Sequence, residues 1–170
     1  VRNKFPHTII SADTFRSNIA EYAVNEGADM INDISGGTLD TRMFETIGKL
    51  KIPYVLMHLK GMPKTMQTNP QYKDVVKEVK YYMGEKINLL RNHGASQLII
   101  DVGFGFGKTV EHNYSLLKNL SEFKEFELPI LAGISRKSMI NKVLRTKPEE
   151  ALNGTTAANT IALMNGATIL

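Results

Sequence analysis

The segment from Leu98 to Thr109 changes character at a single residue, and that change limits the folds open to the chain. Leu98, Ile99 and Ile100 form a short apolar run of the kind that makes a strand buried on both faces. Asp101 ends the run, and glycines at 103, 105 and 107 follow, interleaved with Phe104 and Phe106. No regular element favours that alternation. A carboxylate at the carboxyl end of a buried strand, ahead of a flexible loop and a helix, is where parallel α/β folds place their ligands.

The loop ends in Gly107-Lys108-Thr109, which invites a nucleotide reading. A phosphate-cradling P-loop requires glycine five places before Gly107, where Val102 stands, and a dinucleotide fingerprint opening at Gly103 requires glycine at Lys108. Both templates miss by one residue. A plain solvent loop with spare glycines fits poorly as well, because exposed loops seldom hold two phenylalanines that nothing covers.

The remaining chain repeats the layout of strand, polar residue and helix. Thr8 to Ala12 is a strand candidate leading into Asp13-Thr14, and Phe15, Ile19, Tyr22 and Ala23 then recur at helical spacing until Gly27. Ala28 to Asn32 forms a second strand, followed by a turn at Ser35 to Gly37 and a helix that Asp40 can cap. Pro53 to Met57 is the third strand, with His58 at its end. A polar loop follows, long enough that connecting two elements is not its only plausible task. A stripe from Tyr72 to Leu90 predicts a long amphipathic helix closing near Gly94. Beyond the glycine loop come a helix from about Glu111 to Phe123, a fifth strand from Leu128 to Ile134, two helical segments, the second starting at Pro148, and a last strand from Ala167 to Leu170.

Six strand candidates alternating with helices predict a parallel α/β fold. A doubly wound sheet would gather its ligand groups at one switch point, whereas polar residues here close strand after strand, which favours a (β/α)8 barrel. A complete barrel has eight strands and typically ~250 residues, so the 170-residue chain matches an incomplete one, either open or a portion of a longer protein. A chain of that length with 42% hydrophobic residues can build one sizeable core and suggests a single domain over residues 1–170. Cysteine is absent, which removes disulfides and thiolate metal sites and suits a cytoplasmic protein. Neither a signal peptide nor an apolar run of membrane-spanning length is visible. The formal charge of +4 comes from scattered lysines rather than a basic run, so neither nucleic acid nor membrane is indicated as a partner.

The strand-end segments, taken in order, resemble the dihydropteroate synthase family of pterin-binding barrel enzymes. Ile-Ser-Ala-Asp-Thr at 10–14, Ile-Asn-Asp-Ile-Ser-Gly-Gly at 31–37, Leu-Met-His at 56–58, Gly-Met-Pro-Lys-Thr-Met-Gln at 61–67, Asp-Val-Gly-Phe-Gly-Phe-Gly-Lys-Thr at 101–109 and Ser-Arg-Lys-Ser at 135–138 are similar to its signatures. Each is short, but six in the right order are specific.

The resemblance implies a transferase of folate biosynthesis and a sulfonamide target. It joins 6-hydroxymethyl-7,8-dihydropterin diphosphate to 4-aminobenzoate and releases diphosphate. By position it implies Asp13, Asn32, Asp101 and Lys137 as pterin contacts, Met57 and Gly133 as pocket lining, and Phe106 and Ser138 beside the aminobenzoate. Departure of diphosphate would leave positive charge on the dihydropterin, which makes Asp13, as the carboxylate that stabilises it, and Lys137, as the donor that fixes the ring, the catalytic candidates. A homodimer is usual for the family. The family's magnesium ligand and closing loops belong to two strands expected before Val1, and its diphosphate-binding segment to a stretch expected after Leu170. The resemblance therefore implies an internal portion, about strands 3 to 8, that has no appreciable turnover alone. Val102 replaces the family's usual proline.

Plainer readings exist for single residues. Asp13 or Asp33 alone would more often be a helix cap than a catalyst, and Lys137 an ordinary surface lysine at a helix start. His58, with no metal-type ligand spaced around it, reads as a packed structural histidine; His7, His93 and His112 suggest no role. Two other functions stay open: a corrinoid-linked pterin methyltransferase domain, against which the Ser-Arg-Lys-Ser and Phe-Gly-Phe segments weigh, and a pterin-binding module without chemistry.

Overall fold

The computed structural model describes residues 1–62 and 65–170, so Pro63 and Lys64 of the 61–67 segment lie outside the described residues. The chain divides into two compact units, one of Val1–Met57 with Met83–Ile100, the other of His58–Tyr82 with Asp101–Leu170.

In the first unit β1 (Ser11–Asp13), β2 (Met30–Asp33), β3 (Tyr54–Met57) and the start of β4 (Leu98–Asp101) lie side by side in chain order. The β1–β2 and β2–β3 pairs are parallel, with Asp13 opposite Asn32 and Asn32 opposite Val55. Helices α1 (Ser17–Asn25) and α2 (Met43–Leu50) connect them, and α3 (Val75–Asn92) leads towards β4. Ile31, Met43, Ile47, Tyr54, Leu56, Met83, Ile87, Leu90 and Ile100 form the core. β3 is buried along its whole length, as a strand covered on both faces should be.

Several boundaries differ from the sequence reading. β1 begins at Ser11 rather than Thr8, since Arg2 bonds the carbonyls of Gly27, Pro6 and Thr8 and holds the preceding residues in turns. Asp40 has no capping bond to α2 beyond the Arg42 N–H; its Oδ2 instead accepts from the Ser17 N–H, capping α1 from a distance in sequence. Asp33 is not a helix cap. Its Oδ1 accepts from the N–H and hydroxyl of Ser35 and its Oδ2 from the Gly37 N–H and the Tyr54 hydroxyl, at 2.7 to 2.9 Å, so it fastens the turn after β2 to β3.

In the second unit α3 starts at Val75 rather than Tyr72, because the Asp74 carboxylate accepts from the Val76 and Lys77 N–H groups and caps it. The helix expected to reach Phe123 breaks: α4 (Val110–Lys118) stops where Asn119 turns its side chain onto the Ser115 carbonyl, and a 3-10 helix runs on from Leu120 to Phe126. β5 is only Ile130–Leu131. The apolar run predicted a strand to Ile134, but the Lys137 N–H bonds the Ile134 carbonyl and turns the chain out of the strand. α5 (Ser138–Leu144), a short 3-10 turn at Pro148–Glu150 and α6 (Leu152–Met164) complete the unit. The last predicted strand shrinks to one parallel bridge, Leu131 with Ile169. No helix among the described residues is long and apolar enough to cross a membrane.

Tyr54→Phe removes one bond from the buried Asp33 carboxylate while leaving the ring, and should destabilise the protein by about 1–3 kcal/mol. The urea midpoint measures it; an unchanged midpoint would show that the Asp33 turn does not depend on that hydroxyl.

Candidate functional site

The glycine loop of the second unit leaves no regular element to satisfy its backbone, and side chains do so instead. Lys108 Nζ donates to the Gly103 and Phe106 carbonyls at 2.9 and 3.0 Å. Lys137 Nζ donates to the Phe104 carbonyl, Gln67 Nε2 to that of Gly105, and the Tyr72 hydroxyl to that of Gly107. The Gly105 N–H donates to Asn113 Oδ1 at 2.7 Å. The glycines have a spatial reason: a Cβ on Gly103 would stand 2.0 Å from the His58 carbonyl oxygen, and one on Gly107 2.4 Å from that of Lys60. Their φ angles of +71° and +61° lie in the left-handed region as well.

Asp101 stands where β4 gives way to this loop. Its Oδ1 accepts from the Gly103 N–H at 2.8 Å, so it closes a local turn rather than capping a helix. The other oxygen, Oδ2, and Lys137 Nζ lie 4.0 and 3.8 Å from where a Cβ on Gly133 would be, so the absent side chain leaves carboxylate and ammonium facing a common space. Burial raises the proton affinity of Asp101, against the Gly103 bond and the Lys137 and Lys108 charges, and lowers that of Lys137, which Asp101 partly restores. The Phe106 ring, half-buried, sits under Lys137 with Nζ 4.7 Å from its centroid. Lys137 thus touches Phe106, Phe104 and the space before Asp101, a placement no ordinary surface lysine needs. Its direction is set by Arg136, whose left-handed φ of +54° is clamped by Thr155 Oγ1 on its N–H and Asn141 Nδ2 on its carbonyl. A cavity of about 230 Å³ opens beside Gly133, Ser135, Lys137 and Asn159. Ser138 is exposed in the first turn of α5.

His58 is buried, 5% exposed, with its Nδ1 2.9 Å from Lys108 Nζ and its ring edge-on to Tyr82 at 4.9 Å. Burial, with Lys108 and Lys60 nearby, pushes its pKa down to about 2, so the imidazole is neutral and Nδ1 accepts. That is the structural histidine read from the sequence.

In the first unit Asn32 Nδ2 donates to Asp13 Oδ1 at 2.5 Å. Register places the two residues opposite each other at the ends of β1 and β2, which fixes the exposed carboxylate without capping α1. They border a hollow of about 410 Å³ whose other walls include Phe15, Arg16, Ile19 and Ile34, within the size range of small-molecule sites. Met57 ends β3 and is buried. The structure therefore gathers the predicted residues into two sets, Asp13 with Asn32 in one unit, and Asp101, Gly133, Lys137 and Phe106 in the other.

The pattern of one family, described as pterin binding enzyme, matches residues 1–170. The chain belongs to the pterin binding enzyme family. It is 43% identical over 172 residues to the dihydropteroate synthase of Haemophilus influenzae, covering 100% of this chain and 62% of that protein. Among solved structures it is similar to the Yersinia pestis dihydropteroate synthase in complex with a sulfonamide drug, with a TM-score of 0.94 and 37% identity over 99% of this chain and 62% of that one. The Xanthomonas albilineans enzyme in complex with 7,8-dihydropteroate gives a TM-score of 0.88 at 36% identity, over 95% of this chain and 58% of that one. The fold class is thus that of the (β/α)8 barrel, present in part: the chain spans about three fifths of the length of these relatives.

Among the described residues no group of three or more histidines and acids could hold a metal ion. The sequence reading passed over Lys108, Gln67 and Tyr72. A signal was present, since glycines at alternate positions leave carbonyls that need donors from elsewhere.

An ionised Asp101 is required to accept from a ligand's N–H groups, and burial raises its pKa. A ligand that offers N–H groups to Asp101 should therefore bind the complete gene product more weakly as pH falls through a midpoint above the ordinary 3.8 of a carboxyl, and Asp101→Asn should abolish that acid limb along with most of the affinity. A pterin titration followed by calorimetry from pH 4 to 7 reads both.

Proposed function

We propose that the protein of which this chain forms part is a dihydropteroate synthase, joining 6-hydroxymethyl-7,8-dihydropterin diphosphate to 4-aminobenzoate in folate biosynthesis, as a cytoplasmic homodimer. The observation that carries this reading is the buried Asp101 carboxylate, with one oxygen held by the Gly103 N–H and the other facing the same space as the Lys137 ammonium. A pterin edge offers an amino group beside ring N–H groups, and a carboxylate accepts such a pair through strong ionic hydrogen bonds. Lys137 donates to the ring's carbonyl oxygen or a ring nitrogen. The resemblance adds Asn32, able to donate and accept, with Met57 and Gly133, as further pterin contacts, and Phe106 and Ser138 beside the aminobenzoate. That a related synthase is described with 7,8-dihydropteroate supports the reading.

In the reaction the carbon–oxygen bond to diphosphate breaks first, and diphosphate leaves with the electron pair. Positive charge spreads over the dihydropterin, and the amine of 4-aminobenzoate then attacks the exocyclic carbon and loses its proton to the medium. A carboxylate fixed before the charge appears stabilises it at no reorganisation cost. Asp13 is suited to that task, since Asn32 holds it at 2.5 Å. Phe106 supplies an apolar wall that orients the weakly nucleophilic aromatic amine.

Release of diphosphate by the complete gene product, assayed with and without 4-aminobenzoate, tests the reading. Release that depends on the aminobenzoate is the outcome expected of a synthase; pterin binding without release would leave a binding module in its place. Asp13→Asn should lower kcat by about 10²-fold or more with a smaller loss of pterin affinity, whereas equal losses would remove the charge-stabilising role.

A further inference from the structure

Lys108 is 3% exposed, and among the described residues no carboxylate lies within ion-pair distance of it. A buried ammonium without an ionic partner is costly, and a methionine of similar length would fill the same volume. What the charge does there is shown by its contacts. Nζ reaches the Gly103 carbonyl at 2.9 Å, the Phe106 carbonyl at 3.0 Å and His58 Nδ1 at 2.9 Å, with the His58 carbonyl further off at 3.5 Å. Three hydrogens thus meet three close acceptors. Gly103 and Phe106 are the two ends of one turn, closed by the Phe106 N–H on the Gly103 carbonyl at 3.1 Å. His58 is itself fixed, its N–H donating to the Asp101 carbonyl at 3.0 Å and its ring standing against Tyr82. Lys108 therefore links both ends of the turn that displays Phe106 to the backbone of the pterin-contacting Asp101.

We propose that Lys108 is a positioning residue for the aminobenzoate side of the site: with the His58 imidazole as its acceptor, it sets where the Phe106 ring stands against Lys137. This rests on the synthase reading above. It assigns work to two residues whose contacts are with the protein itself, and it separates their effect by substrate. Asp101 keeps its own bond to the Gly103 N–H when Lys108 is lost, so pterin recognition survives while the aromatic wall moves. Burial lowers the pKa of Lys108; of the charged groups that face it, Asp101 opposes the shift and Lys137 adds to it, and the result is about 7. Above that pH the amine is neutral, its bonds to these partners lose their ionic strengthening, and the turn loosens.

The test is steady-state kinetics and pterin binding on the complete gene product. Lys108→Met should raise KM for 4-aminobenzoate roughly tenfold while pterin diphosphate affinity changes less than about threefold, and should remove a rise of that KM between pH 7 and 9 seen in the unsubstituted protein. His58→Asn, which keeps an acceptor near the position of Nδ1, should behave nearly as the unsubstituted protein, and His58→Leu should reproduce Lys108→Met. Should Lys108→Met fail to fold, the two His58 variants decide. Equal losses for both substrates, an unchanged aminobenzoate KM, or equivalence of His58→Asn and His58→Leu would overturn the positioning role. Aminobenzoate-dependent diphosphate release by the unsubstituted protein, measured in the same series, keeps that failure distinct from failure of the synthase reading.

Discussion

Unsatisfied backbone is what the second unit is arranged to avoid. Between Gly103 and Gly107 the chain has neither ladder nor helix, and a buried carbonyl left without a donor costs about 1–3 kcal/mol. Five successive carbonyls are met by four side chains, Lys108, Lys137, Gln67 and Tyr72. Those donors come from the segment after β3, from the loop itself and from the turn before α5, which ties otherwise separate stretches of sequence to one short strip of backbone.

That solution brings charge inward. Asp101, Lys108 and Lys137 are drawn into a region that shifts their proton affinities towards neutrality. Perturbation of this kind often marks functional sites, though structural networks produce it too. Here both occur side by side: Lys108 spends its hydrogens on the protein, while Asp101 keeps one oxygen turned to the space left open by Gly133. The first unit uses a different device, strand register, to hold Asp13 against Asn32.

The order of elements could be read from the sequence because burial on both faces leaves apolar runs such as Tyr54–Met57 and Leu98–Ile100. Polar residues at the ends of those runs marked Asp13, Asn32 and Asp101. Boundaries were less accessible where a side chain competed with the backbone, as Asn119 does at the end of α4, or where a partner lay far away in sequence, as Asp40 does for Ser17. The same limitation hid Lys108. Periodicity reports which face of an element is buried, and a lysine in an irregular loop belongs to no face; only the positions of His58, Gly103 and Phe106 in space reveal why it is there.

The loop's approach to the carbonyls of His58 and Lys60 has a bearing on how such a chain can change over generations. Because the limit at Gly103 and Gly107 is main chain meeting main chain, no compensating exchange of a neighbouring side chain can make room for a methyl group. Donors such as Gln67 or Tyr72 could be replaced by other hydrogen-bonding groups of suitable reach, but those two positions admit only hydrogen, so variation in this region is confined to its periphery.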